Sequence, residues 1–306
     1  MDQTAVRASS QQRWLITLAP VIFLALWSAG FPIAKIGLRY ATPLALLSIR
    51  FALSIGVLLV VCAWRRPAWP TSGRAWLHLI VTGFLVQVMY FGLSYLSLTA
   101  GLSSTVLALV VSLQPIIVGV LAPALVAERV GARKWIGLIL GLVGAVGVIV
   151  ARGPLQVQST SGVLLAVGAL IGITAAMLYE KRFGTRQDPL SANLIQYTVG
   201  LIFCAPLSFA FETMHVQWSG ALIAALLYLV IGNSLIAVTL LLAMTRAGKV
   251  SQVASLFFFV PPGAALMSYL LLGEVMSVWA CCAMAVAILG VAIATRSSRA
   301  RERPAM

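Results

Sequence analysis

The sequence predicts an all-α integral membrane protein, with ten transmembrane helices arranged as two inverted five-helix repeats. Three observations carry this. First, 61% of the 306 residues are hydrophobic and only 9% are charged, where soluble domains hold about 45–50% and about 25%. Second, ten apolar runs reach the roughly 20 residues needed to cross a hydrocarbon core. Third, sliding the chain on itself by 146 residues brings sparse residue types into register.

The runs lie at 14–35, 43–64, 75–98, 103–127, 132–151, 161–183, 190–211, 219–244, 249–273 and 275–295. Short punctuated breaks separate them, such as RRPAWPTSGR at 65–74 and GTRQDPLS at 184–191, with the Gly, Pro and Ser content of loops. The first run continues past Pro20 for longer than the core of a secretory signal, so it reads as an uncleaved span. Cys62, Cys204, Cys281 and Cys282 all lie in apolar runs without CxxC spacing, which predicts neither disulfides nor a metal site.

The net charge of +14 would suggest nucleic acid in a soluble protein. Here it is a topology label. With both termini in the cytoplasm, 17 of the 21 Lys and Arg residues fall on the inner side, as the positive-inside rule requires. The expected location is the inner membrane of a cell, and the expected contacts are lipid and a small solute, with no nucleic acid.

The 146-residue offset pairs Lys35 with Lys181, Pro43 with Pro189, Pro115 with Pro261, Glu128 with Glu274 and Gly144 with Gly290. It divides the chain into residues 1–151, spans one to five, and 152–306, spans six to ten with a short basic tail. Five is odd, so the second repeat enters the membrane upside down. Inverted repeats are typical of secondary transporters, whose sites lie between the halves near the midplane. Pro115 and Pro261 stand at the centres of spans four and nine, and Pro262 doubles the second. Proline removes a backbone donor and breaks the helix, so all three are expected as hinges beside a cavity.

Polar and aromatic residues within the spans nominate the cavity wall. Gly83, Gln87, Tyr90 and Ser94 follow i, i+4, i+7, i+11 spacing, one helical face. Asn233 is the repeat counterpart of Gln87. The expected solute contacts are Trp27, Phe31, Gln87, Tyr90, Gln114, Tyr179, Asn233, Gln252 and Phe258, amides and aromatics suited to a small amphipathic molecule. Arg50, inside span two, is a charge site that faces either the bundle interior or snorkels outward. Lys35 is a second charge candidate, at a span end. Gly137, Gly141 and Gly144 match Ala283, Ala287 and Gly290 as small-residue stripes for close helix packing.

Mid-span carboxylates, a complete Walker string, HExxH and a nucleophile elbow are all lacking. The expectation is therefore a non-enzymatic carrier without cofactor, working by alternating access and not driven by ATP; the alternative is a non-transporting multi-span sensor or scaffold. The stretches WSAGFPIAKIGL and PLALLSIRF, at 27–38 and 43–51, resemble the opening of EamA-type transporters of the drug/metabolite transporter superfamily. So do the segments from Tyr95 to Val150 and from Leu241 to Thr295, with their mid-helix prolines and span-end glutamates. The resemblance implies ten helices in two inverted EamA repeats around a central cavity, and movement of small metabolites, amino acids among them. Export is the expected direction; a monomer is compatible with the sequence.

Overall fold

Several links between spans carry the residue that starts the next helix. Ser72, Ser159 and Ser219 accept hydrogen bonds from the backbone N–H of Ala75, Gly162 and Leu222, three residues on. Such N-caps contribute about 1 kcal/mol each. Pro43 and Pro189 occupy the first helical position, where a missing N–H costs nothing.

The computed structural model describes residues 18–102, 104–128, 130–151, 159–184, 187–213, 215–248, 250–272 and 277–296. They form ten helical segments: α1 (Ala19–Gly37), α2 (Pro43–Arg65), α3 (Gly73–Thr99), α4 (Ser104–Val111 and Gln114–Val126), α5 (Ala132–Val150), α6 (Thr160–Phe183), α7 (Pro189–Phe211), α8 (Gly220–Ala247), α9 (Val250–Leu272) and α10 (Val278–Arg296). Among the described residues, seven helices are long and apolar enough to cross a membrane, and shorter apolar helices accompany them. The outer surface is apolar as lipid contact requires: Val60, Leu164, Phe209 and Trp279 are all exposed.

Helix pairing repeats itself. α1 packs on α8 and on the second half of α9, while α6 packs on α3 and on the second half of α4. α2 pairs with α7, and α5 with α10. The last pair meets backbone to backbone. A Cβ on Gly137 would lie 2.5 Å from the Ala294 nitrogen, and one on Gly144 would overlap the Ala287 backbone. The small-residue stripes thus sit face to face.

Four of the ten segments are irregular in matched places. α4 breaks at 112–113, and α9 passes through a 3-10 turn at Leu256–Phe259. Pro115 and Pro261 lie just after these breaks, in the first turn of the second half-helix, where proline is tolerated. α3 widens into a π-helix over Phe84–Gly92, and α8 does so over Leu229–Ala237. Each boundary of the second lies 145 residues after that of the first. π segments are rare and concentrate at functional sites.

Candidate functional site

The π segments of α3 and α8 face a narrow cavity that α1, α2 and α4 complete. Its apolar wall is an aromatic cluster. Trp27 of α1 stacks on Tyr90 with centroids 5.8 Å apart and planes 16° from parallel. Phe91 lies 4.9 Å from Tyr90, and Phe257 meets Trp27 edge-on at 5.6 Å. Such pairs contribute about 0.5–1.5 kcal/mol beyond area burial.

The polar wall is built around Arg50, which is 0% exposed. Its position seven residues into α2 left interior and snorkelling placements open; the structure puts it inside. Its Nε donates to Ser234 Oγ at 2.8 Å, Nη2 to Asn233 Oδ1 at 2.7 Å and Nη1 to the Tyr95 hydroxyl at 3.3 Å. The guanidinium carbon stands 4.4 Å from the Phe91 ring centroid, within cation–π range. Tyr197 donates to the Ser234 carbonyl at 2.7 Å, holding the π segment of α8. Asn233 has room only because residue 30 is glycine: a Cβ there would lie 2.5 Å from Asn233 Nδ2.

Trp27, Phe31, Tyr90, Asn233 and Arg50 are the sequence-nominated residues that line this cavity. The others lie elsewhere. Gln87 is fully buried beside Gly200 of α7. Gln114 donates to Met177 Sδ on α6. Phe258 packs with Leu138, Ala145, Val291 and Ala294, directly over Gly141. Tyr179 sits at a bundle end, its hydroxyl 2.7 Å from His78 Nδ1. Gln252 is partly buried near the start of α9, and Lys35 is exposed at the end of α1. Pro115, Pro261 and Pro262 are buried beside the helix breaks. Glu274 and Lys249 fall outside the described residues.

One physical cause explains the split within α3. The expected face of Gly83, Gln87, Tyr90 and Ser94 assumed α-helical spacing throughout. The π turns shift the register, so Tyr90 and Ser94 reach the cavity while Gly83 and Gln87 meet α7. Phe91 and Tyr95 line the cavity as well; the expected face left them out, although i, i+4 steps lead from Gln87 to both. Two aromatics flanking the Ser94 position were the available signal.

Comparison with known proteins decides the family. The profile of the EamA-like transporter family matches residues 13–150 and again 160–296. The chain belongs to the EamA-like transporter family. An uncharacterized transporter of Bacillus subtilis, YvbV, is 28% identical over 285 residues, 92% of each chain. An uncharacterized transporter of Archaeoglobus fulgidus is 27% identical, covering 94% of this chain and 98% of its own. A "probable terminal-alkyne amino-acid exporter" of Streptantibioticus cattleyicolor is 26% identical over 97% of both. A solved crystal structure superimposes with a TM-score of 0.78 at 20% identity, over 92% of this chain and 98% of that one; the likeness is one of fold.

As an EamA-like transporter, the chain is a multi-pass membrane protein whose two family copies meet at the cavity and at both ends. Arg50 belongs to the first copy, Asn233 and Ser234 to the second. At one end, Thr42 N donates to His215 O and Gln217 N to Tyr40 O, at 3.2 and 2.7 Å. At the other, Glu128 pairs with Lys134 at 2.9 Å and accepts the Ser251 hydroxyl. There too Arg246 pairs with Glu180, which accepts from Thr82 at 3.2 Å.

Proposed function

We propose that this EamA-like transporter is a secondary carrier that exports a small amphipathic solute, an amino acid or a close relative, by alternating access. The observation that carries the reading is the cavity shared between the two family copies, with an aromatic wall opposite Arg50 and Asn233. Pockets of this kind hold a molecule with one apolar and one polar face. The cavity is tight in this conformation, about 20 Å³, room for a water or so. That supports an occluded resting form which must open to load.

The matched breaks of α4 and α9 and the matched π segments support two inverted repeats, residues 1–151 and 152–306, moving against each other. The charge distribution supports an inner-membrane placement with both termini cytoplasmic. The name of the Streptantibioticus relative supports amino-acid cargo and the outward direction. The lack of an Asp or Glu in the middle of a span in the sequence supports exchange or facilitated diffusion.

Counterflow in proteoliposomes tests this. Vesicles preloaded with unlabelled amino acid are expected to accumulate labelled amino acid saturably, and a Trp27→Ala variant to do so far less. Absence of flux for every amino acid, nucleobase and drug-like cation offered would overturn the reading.

A further inference from the structure

The described acidic residues are four, and each is engaged away from the cavity. Glu128 pairs with Lys134 and Glu180 with Arg246. Asp188 caps α7 through Leu190 N, and Glu212 accepts from Leu44 and Ala45 N. Arg50, fully buried, is therefore bonded only to neutral oxygens. A cation taken from water into a protein interior costs several kcal/mol unless an anion pairs with it.

The hydrogen-bond inventory of the cavity has the same sign. The guanidinium has five N–H groups, of which three are used by Ser234, Asn233 and Tyr95. Arginine only donates, so Asn233 must present its oxygen to Arg50 and turn its NH₂ toward Gly30. Ser94, 2% exposed, lines the cavity with a hydroxyl that has no partner. What the polar wall leaves over is N–H donors on Arg50 and a Ser94 hydroxyl free to donate. Phe91 covers one face of the guanidinium, which leaves its edge for an in-plane acceptor.

We infer that Arg50, with Asn233 and Ser94, is the seat for a carboxylate group of the transported solute. The inference rests on the transport reading and adds the group that the site recognises. A carboxylate supplies two oxygens that accept from the remaining N–H and O–H groups, and it neutralises the buried cation. The solute side chain then lies against Trp27 and Tyr90. A primary amide of the same shape brings its own two N–H donors to a donor wall and no charge.

The test is counterflow by the full-length protein with matched sets built on alanine, leucine and phenylalanine: the acid, its primary amide and its decarboxylated amine. Acids are expected to exchange at least about tenfold faster than amides and amines, the loss expected for a hydrogen bond to a charged group. Arg50→Gln should abolish the preference for acids and Arg50→Lys should keep part of it, with Arg50→Lys also showing that the position tolerates change. Amides or amines moving as fast as acids would overturn the carboxylate seat while leaving the carrier reading intact. Silence from all three sets would also overturn the seat; the carrier reading falls only if nucleobases and cations are silent too.

Discussion

Glu212, at the end of α7, holds Leu44 at the start of α2: both carboxylate oxygens accept from the Leu44 N–H, at 2.9 and 3.1 Å. The Ala45 N–H reaches one of them at 3.1 Å. An anion at a helix N-terminus is favoured by unpaired N–H groups and by the helix dipole. Glu212→Ala should lower stability by about 1–2 kcal/mol, the scale of lost caps and charged hydrogen bonds. Glu212→Gln should lose less, because one oxygen still accepts. Thermal unfolding in detergent at a single scan rate checks the order.

The α5–α10 seam predicts a steep dependence on size. Gly144→Ala would drive a methyl into the Ala287 backbone, and overpacking costs about 1–3 kcal/mol or more. Gly56→Ala, where nothing lies within 4 Å of the new methyl, should be neutral or gain about 0.5–1 kcal/mol. Comparing monodisperse yield and thermal midpoint separates the two.

Glu128 gives a pH dependence of definite sign. Burial pushes its carboxyl up, but hydrogen bonds from Ser251 and Lys134 and the Lys134 charge outweigh this and hold it below the usual 4.5. A folded-state value below the unfolded one means that its stabilisation is complete above about pH 4.5 and fades as pH falls through the lowered value. The stability advantage of the wild type over Glu128→Gln should therefore be constant from pH 8 to pH 5 and shrink below pH 4.5. An advantage that grew on acidification would refute the assignment.

Glu180 and Arg246 should be non-additive. Glu180 is 2% exposed and relies on Arg246 and Thr82. Arg246→Ala leaves that carboxylate buried without its cation, a loss of about 3–5 kcal/mol. Adding Glu180→Gln should restore a large part of it, and a double-mutant cycle of thermal midpoints measures the coupling.

The span positions were legible because bilayer thickness dictates them. The expected run 43–64 became Pro43–Arg65, and 190–211 became Pro189–Phe211. The breaks of spans four and nine were legible in Pro115 and Pro261, since proline acts locally. The cavity was legible only in part. Trp27, Tyr90 and Asn233 needed no more than their residue type and mid-span position. Gln87 lies off this cavity, and a π segment is a tertiary choice that no residue in FLVQVMYFG announces. Phe258 packs away from it, on a partner, Gly141, that lies more than a hundred residues off in the sequence.

Arg50 hangs between the two family copies: its backbone is anchored in one, while two of its three hydrogen-bond acceptors come from the other. Hydrogen bonds of 2.7–2.8 Å weaken once donor and acceptor separate by half an ångström or so. The guanidinium is therefore a gauge of how the copies stand relative to each other, intact only in a narrow range of mutual placement. Under the proposal above, a carboxylate seated on Arg50 would bind best in the one mutual placement of the copies that keeps these hydrogen bonds, and would hold the halves in it.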